Sequence, residues 1–500
     1  MAITQTTEVV RIRSKLLEEI AKLAYAGHLE EDVMGIMDNI VSEGGPRYRC
    51  CVHKERAVLR QRINFTLSQS LGISQKEAVA EALAGKVVTD VPLVKVLPEA
   101  CDQCPIDKYL VTDACRNCLA HNCINSCPKK AIMVVQNRAY IDKSRCVECG
   151  LCKKNCQYGA IIEISRPCER ACAVGAIIAG GDRKAIIDKE KCVECGMCRE
   201  SCPFGAISDS SVIVQVIQQI LAGKRVYAML APAFVGHFGP RTKPGQIVSA
   251  IKKLGFYAIK EVAYGADIVA LKEAQEFLDT VPSQRTVMTT SCCPAFVSMI
   301  EKHFPEVKDK VSTTVSPMVA TARVIKENDP EAVTVFIGPC IAKKAEARKY
   351  AELVDYTLTF EEMSAMITGK GMDMDLMLDD GFESAASAAG NGFACAGGVA
   401  QAVKTVIASL DPEAVVAPLN VQGLENCVDA INLIRKGKIE ANLIEGMSCN
   451  GGCVGGPGAL GNALVAGKLV DIFVKQSLAD NASINEAAKT DSEKLGQLHR

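Results

Sequence analysis

Apolar residues recur at helical spacing in RIRSKLLEEIAKLAYAG (residues 11–27) and again in SQKEAVAEALAGK (74–86), and both runs end near glycine. That is the pattern of amphipathic helices with a stop signal, so residues 1–95 are read as a helical region. Between the runs lies the basic stretch EGGPRYRCCVHKERA. It is read as a loop with two buried thiols, Cys50 and Cys51, because free cysteine is among the most buried residue types. Its charge also suits contact with the cysteine-rich stretch that follows. From about residue 211 the pattern changes. A helix (VIVQVIQQIL) leads to a strand (VYAMLAPA), a helix (QIVSAIKKLG), a strand (AIKEVAY), a helix (IVALKEAQEFLDT) and a short strand running into TTSCCPAF. Farther on, the strand VTVFIG runs into the helix PCIAKKAEARKYAE. Alternating strands and helices imply parallel α/β layers, where ligands bind beyond the carboxyl ends of strands. The stretch after about 475 is polar and is expected to cover the surface.

Composition adds little until cysteine is reached. The chain has 500 residues, 48% of them hydrophobic, with 57 basic and 58 acidic side chains. Two to four domains with sizeable cores are expected. The charge balance gives no reason to expect nucleic acid or an anionic membrane as partner. The first residues turn charged at once, with no apolar run of signal-peptide type, and no stretch is apolar for long enough to span a bilayer. A cytoplasmic protein is expected.

The count of 25 cysteines changes the picture. Disulfide scaffolds are small secreted chains, whereas these cysteines fall in short repeated spacings that suit thiolate ligands. Sixteen lie between Cys101 and Cys202. Bacterial ferredoxins hold [4Fe–4S] clusters with C-x2-C-x2-C-x3-C-P, the fourth cysteine serving the other cluster. Cys192, Cys195, Cys198 and Cys202 match in full. Cys146, Cys149, Cys152 and Cys156 lack only the proline, and Cys115, Cys118, Cys123 and Cys127 carry two extra residues in the middle. Zinc is the bland alternative, but its sites use separated C-x2-C pairs. The cross-over rule closes Cys115, Cys118 and Cys123 with Cys156, and Cys146, Cys149 and Cys152 with Cys127. It closes Cys192, Cys195 and Cys198 with Cys172. Cys101, Cys104, Cys168 and Cys202 remain, either as a fourth cluster or as free thiols. Such a block carries electrons and does no bond chemistry, so a catalytic centre should follow it.

Three motifs supply one: TSCCPAF (290–296), GPCIAKKAE (338–346) and EGMSCNGGCVGGPG (445–458). Together, over roughly residues 210–470, they resemble the three signatures of [FeFe]-hydrogenases. The resemblance implies an α+β and α/β multidomain fold. Its parts are a helical region (1–95), a ferredoxin-like block (96–208), a two-lobed α/β H-cluster domain (209–475) and a C-terminal tail (476–500). It implies an H-cluster, a [4Fe–4S] cube bridged by a thiolate to a diiron unit with CO, cyanide and a dithiolate. By position Cys293, Cys340, Cys449 and Cys453 hold the cube, with Cys453 as the bridge. Lys343 donates to a cyanide ligand and Met447 packs against the diiron unit. Pro232, Ala233 and Pro317 line the same pocket. Asn450, Gly451 and Gly452 let backbone approach the cluster. Cys292 relays protons with Glu273, Ser312 and Glu276. Without the motif, Glu273 and Glu276 would read as a solvated helix face. The implied reaction interconverts protons, electrons and hydrogen. A soluble carrier such as ferredoxin is the implied electron partner, and maturation proteins supply the diiron unit.

Four positions depart from the family pattern: Gly338 for methionine, Phe296 for tryptophan, Ala233 for serine and Met318 for glutamine. These are read as tuning the diiron pocket. No plant-type [2Fe–2S] pattern opens the chain, so a divergent subgroup is expected. Two other functions stand beside the enzyme: an H-cluster sensor with low turnover, and a hydrogenase-like iron–sulfur assembly protein without the diiron unit. Cys395 is expected to be a buried packing residue rather than a ligand, and Cys427 has no ligand-like spacing.

Overall fold

The computed structural model describes residues 7–500 except 45–47, 69, 86–91, 103, 105–106, 181, 183 and 497. The N-terminal helices run Glu8–Ala26, Val52–Ser68 and Gln75–Leu83, with two short ones between. Gly27, at φ 75°, ends the first, and a Ser74–Glu77 capping box opens the third. The first helix buries Leu16, Leu17, Ile20, Ala21 and Ala24. They join one hydrophobic core with residues of the catalytic region rather than forming a core of their own. The contact with helix Phe360–Gly369 is close: a Cβ on Gly369 would stand 2.8 Å from Ala21 Cβ.

One expectation fails here. Cys50 and Cys51 are exposed, not buried. Their neighbours Arg49 and Lys54 reach the cysteine-rich block instead, through Asp102, Glu99 and the Phe204 carbonyl. Those contacts hold the loop at the surface of the block, and the thiols stay outside.

The cysteine-rich block is two modules, one inside the other. The inserted module pairs Tyr109–Val111 with Ile161–Glu163 and folds Ile132–Val135 on Arg138–Ile141 as a hairpin. The host module has the same plan. Val94–Val96 pairs with Ile207–Asp209, and Ile177–Ala179 with Ala185–Ile187. Its first strand precedes the inserted module and the rest follows it. All pairs are antiparallel.

Two parallel sheets make the catalytic region. One has the order Ala258–Glu261, Val226–Leu230, Val333–Gly338, Tyr356–Thr359. The other has the order Met288–Thr289, Leu443–Met447, Pro418–Gln422. Leu443–Met447 is buried along its whole length and Val333–Gly338 nearly so, as expected for strands covered on both faces. Helix Val262–Thr280 begins where strand Ala258–Glu261 stops, three residues earlier than the alternation in AIKEVAY suggests. Val262, Ala263 and Ala266 there face the core at helical spacing.

The stretch after 475 is not simply a surface cover. It holds helix Glu486–Lys494 and buries Ala482, Ala488, Leu495 and Leu498. Among the described residues no helix is long and apolar enough to cross a membrane.

Candidate active site

Four strands deliver the site. Val226–Leu230 leads into Ala231–Ala233, Met288–Thr289 into Cys292 and Cys293, Val333–Gly338 into Cys340, and Leu443–Met447 into Cys449 and Cys453. Their carboxyl ends converge on one apolar cavity, with about 830 Å³ of empty space including its mouth. Cys293, Cys340, Cys449 and Cys453 line it with Cys292, Lys343 and Met447. Pro232, Ala233 and Pro317 line it too. Ser448, which the sequence reading passed over, adds a buried hydroxyl without a hydrogen-bond partner.

Lys343 is the one charged residue in the lining, 8% exposed. Its Nζ lies 2.6 Å from Glu346 Oε2 and donates to the Cys292 carbonyl at 3.3 Å. Burial alone would lower its pKa, but the Glu346 carboxylate outweighs burial and raises it, so the ammonium is held charged.

A line of polar groups leaves the cavity beside Cys292. Burial, and then the charge of Glu273, pushes the Cys292 thiol well up. Glu273 is fully buried rather than solvated. Its Oε1 accepts from Ser291 N at 3.0 Å, and its Oε2 is buried without a resolved hydrogen bond. Burial pushes its pKa up to about 7, the charge of Glu276 adds to that, and hydrogen bonds from Ser291 and Ser312 oppose it. Ser312 Oγ donates to Glu276 Oε2 at 2.7 Å. Burial would raise Glu276 also, but the Thr313 amide, the Ser312 hydroxyl and Arg285 (2.8 Å) outweigh it and hold the pKa below the ordinary value. One glutamate is thus poised near neutrality and its neighbour is kept ionised. Glu346 was legible as the i+3 partner of Lys343. Arg285 had no sequence signal, because it reaches Glu276 across a turn.

The sixteen block cysteines gather in fours. Cys115, Cys118, Cys123 and Cys156 line one small cavity, and Cys127, Cys146, Cys149 and Cys152 line another. Cys172 stands with Cys192, Cys195 and Cys198, near enough that each charge opposes ionisation of the others. Cys101, Cys104, Cys168 and Cys202 interact in the same way. The two modules repeat their backbone donors. Ala139 N points at Cys115 Sγ and Ala185 N at Cys101 Sγ, both at 3.4 Å. Ala131 N and Ala176 N do the same for Cys127 and Cys172, at 3.3 and 3.1 Å. Cys101 in the host module therefore occupies the place of Cys115 in the inserted one. Cys195 also lines the catalytic cavity. Among the described residues, no three His, Cys, Asp or Glu side chains close round a single ion. The cysteines ring cavities instead.

Only two of the four departures face the catalytic cavity, Ala233 and Met318. Phe296 packs on Gly446, where a Cβ would stand 2.3 Å from its ring, and Gly338 lies under the Phe336 ring. Gly452, at φ 86°, serves a backbone contact rather than the cavity alone: its Cβ would stand 2.4 Å from Ala396 N. Cys427 is buried and Cys395 half-buried.

A cavity ringed by thiols at the carboxyl ends of two parallel sheets, joined to ferredoxin-like modules, is the arrangement of an iron–sulfur protein. Residues 224–457 match the family described as iron only hydrogenase large subunit, C-terminal domain. Residues 139–162 and 185–208 match the 4Fe-4S binding domain. The periplasmic [Fe] hydrogenase large subunit of Nitratidesulfovibrio vulgaris is 29% identical, over 43% of this chain and 62% of that protein. Iron hydrogenase 1 of Clostridium pasteurianum is 28% identical, over 43% of this chain and 45% of that one. An [FeFe]-hydrogenase HydA1 structure from Chlamydomonas reinhardtii aligns at 19% identity and a TM-score of 0.48, covering 57% of this chain and 95% of that one. These similarities, over residues 224–457 and two stretches of the cysteine-rich block, support the [FeFe]-hydrogenase family. It spans about half to three-fifths of the length of the curated relatives it matches.

Proposed function

We propose that this chain interconverts protons and electrons with molecular hydrogen at an H-cluster. Cys293, Cys340, Cys449 and Cys453 would hold the cube, Cys453 at the bridging position, and Lys343 would face an anionic ligand of the diiron unit. The residues fit that group: four thiolates suit iron–sulfur, a buried ammonium suits an anion, and the orphaned Ser448 hydroxyl lacks a partner in the same cavity. When bound, the H-cluster supplies the iron at which hydrogen is made or split.

The chain's own part is to exclude water and move protons. The walls are apolar. Cys292 Sγ gives or takes a proton at the cavity, Glu273 exchanges it, Ser312 passes it on, and Glu276 delivers it toward Arg285 and solvent. The observation that carries this reading is geometric: Glu273 is fully buried, held by Ser291, and beside it Ser312 Oγ donates to Glu276 at 2.7 Å; burial pushes the Glu273 pKa up to about 7. A general acid–base group works best with its pKa near working pH.

Electrons would come from a soluble carrier through the four cysteine groups. The inserted module suits their intake. Its residues 107–164 carry nine basic and five acidic side chains. Cys149 is exposed there and lines one small cavity with the exposed Val147 and Lys129, and Lys130, next in the chain, is exposed too. An acidic carrier fits that patch.

The deciding experiment is infrared spectroscopy of matured, anaerobic protein, with Cys292→Ala beside the parent. Bands of iron-bound CO and cyanide should appear in both, and the variant should lose about 10²–10⁴-fold in hydrogen turnover. Absent bands would favour the assembly-protein reading, which has no task for Lys343 or the buried glutamates. Bands without turnover in the parent would favour the sensor. Glu273 also sets a pH signature. Its folded pKa of about 7 lies above the ordinary 4.5, so stability falls as pH rises between the two. Glu273→Gln should therefore stabilise the fold by about 3 kcal/mol at pH 8 and leave it unchanged near pH 4.

A further inference from the structure

Segment Ser312–Ser316 reaches Glu276 directly, Glu273 through Ser291, and the ammonium clamp through Glu346. Ser312 Oγ, Thr313 N and Thr314 Oγ1 donate to Glu276 at 2.7, 2.9 and 3.3 Å. Thr314 O accepts from Ser291 Oγ at 2.5 Å, and that hydroxyl lies 3.1 Å from Glu273. Ser316 Oγ donates to Glu346 Oε2 at 3.0 Å, the carboxylate paired with Lys343. Side chains carried on extended chain are only as well placed as the backbone beneath them.

That backbone is held from two sides. On one, Ser312 N donates to Thr289 O at 2.8 Å. On the other lie residues 498–500. Val315 N donates to Leu498 O at 2.9 Å, Arg500 N donates to Thr313 O at 2.7 Å, and Thr314 faces His499 in an antiparallel bridge. Leu498 is 3% exposed, seated in the main core. Arg500 Nη1 lies 3.0 Å from Glu301 Oε1. Just upstream, Tyr264 on helix Val262–Thr280 donates to Asp491 at 2.8 Å. The same stretch therefore grips both the helix that carries Glu273 and Glu276 and the segment that carries Ser312.

We propose that Leu498–Arg500 is a positioning strap for proton transfer, resting on the proton route given above. By pairing with Thr313–Val315 it keeps Ser312 Oγ on Glu276, Thr314 O on the Ser291 hydroxyl beside Glu273, and Ser316 Oγ on Glu346. None of its residues meets the reacting atoms. Its effect passes through the segment it binds.

The test uses two variants. Arg500→Pro removes the amide that donates to Thr313 O, and Leu498→Ala removes most of the anchor. In protein lacking the diiron unit, hydrogen–deuterium exchange of the Val315 amide should speed up in both, by about 10-fold or more. In matured protein, turnover should fall about 10-fold to 10²-fold, the scale on which small misplacements act. The solvent isotope effect should rise and the pH profile should shift, while CO and cyanide bands stay as in the parent. Leu498→Ile should restore both exchange and rate. Faster exchange with unchanged rate, isotope effect and pH profile would make the strap merely structural and overturn the inference. Unchanged exchange would overturn it as well. A parent without CO and cyanide bands or without turnover overturns the proposed function instead, which separates the two failures.

Discussion

The inserted and host modules share a plan and differ in almost everything around it. Each pairs its first strand with its last and folds a hairpin between them. Gly150 and Gly196 hold equivalent left-handed positions at φ 77° and 81°. A Cβ on Gly150 would first meet Tyr109 of its own module, whereas one on Gly196 would first meet Ile341 and Pro457 of the catalytic region. The inserted module carries a formal charge of +4, with most of its lysines exposed. The host module, with eight basic and nine acidic side chains, carries −1. Its Arg199, 2% exposed, is bound to Asp209, to Glu361 and to the Pro457 carbonyl. The same cysteine spacing thus sits on an outward-facing, basic module in one place and on a module packed into the catalytic region in the other.

The largest difference should appear when one group is removed from each module. Cys195→Ala and Cys149→Ala should each lose about four iron atoms. Cys195 lines the catalytic cavity, so its loss should abolish turnover with every external donor. Cys149→Ala should keep a substantial part of the rate with a small dye that reaches the host module directly. Iron analysis and dye-driven assays check this, and equal losses would erase the distinction.

Stability should separate the modules next. Glu361 pairs with both Arg13 and Arg199 and is 4% exposed. Glu361→Ala would leave two buried guanidinium groups short of a partner and should cost about 3–5 kcal/mol, read as a lowered urea midpoint under anaerobic conditions. In the inserted module, Lys153 pairs with Glu163 in the open, and Lys153→Ala should leave that midpoint where it is.

Carrier docking should show a smaller effect. Changing Lys129 and Lys130 to Glu should slow carrier-driven turnover about 10-fold at low salt, less at high salt, and leave dye-driven turnover unchanged. Equal slowing with the dye would mean that the patch is not a docking surface.

The smallest change is one of count. Protein without the diiron unit should hold about five cubanes, roughly 20 iron atoms. Cys104→Ala should lower that to about 16. A parent already at about 16 would remove the host module's interrupted group, and with it the likeness between the modules.

Read alone, the sequence determined whatever depends on short spacing. C-x2-C-x2-C-x3-C must wrap one corner of a cube, so three motifs were legible at once. The three later signatures were legible because each is a strand end joined to its cysteine within a few residues. Helices 8–26, 75–83 and 262–280 were visible in part or whole because an apolar stripe has to recur every three or four residues. Strand Pro418–Gln422 was not, because it lies at a sheet edge with one buried residue in five. Only the tertiary structure decided the relations between distant residues. Cys101 and Cys104 meet Cys168 across an inserted module, which no local pattern can encode. Glu273 reads as an ordinary charged position on a helix, and burial beside Ser291 and Ser312 is what brings it near neutrality. The polar stretch after 475 gave no sign of its role, because its hold on Thr313 and Val315 runs through backbone groups that every residue shares.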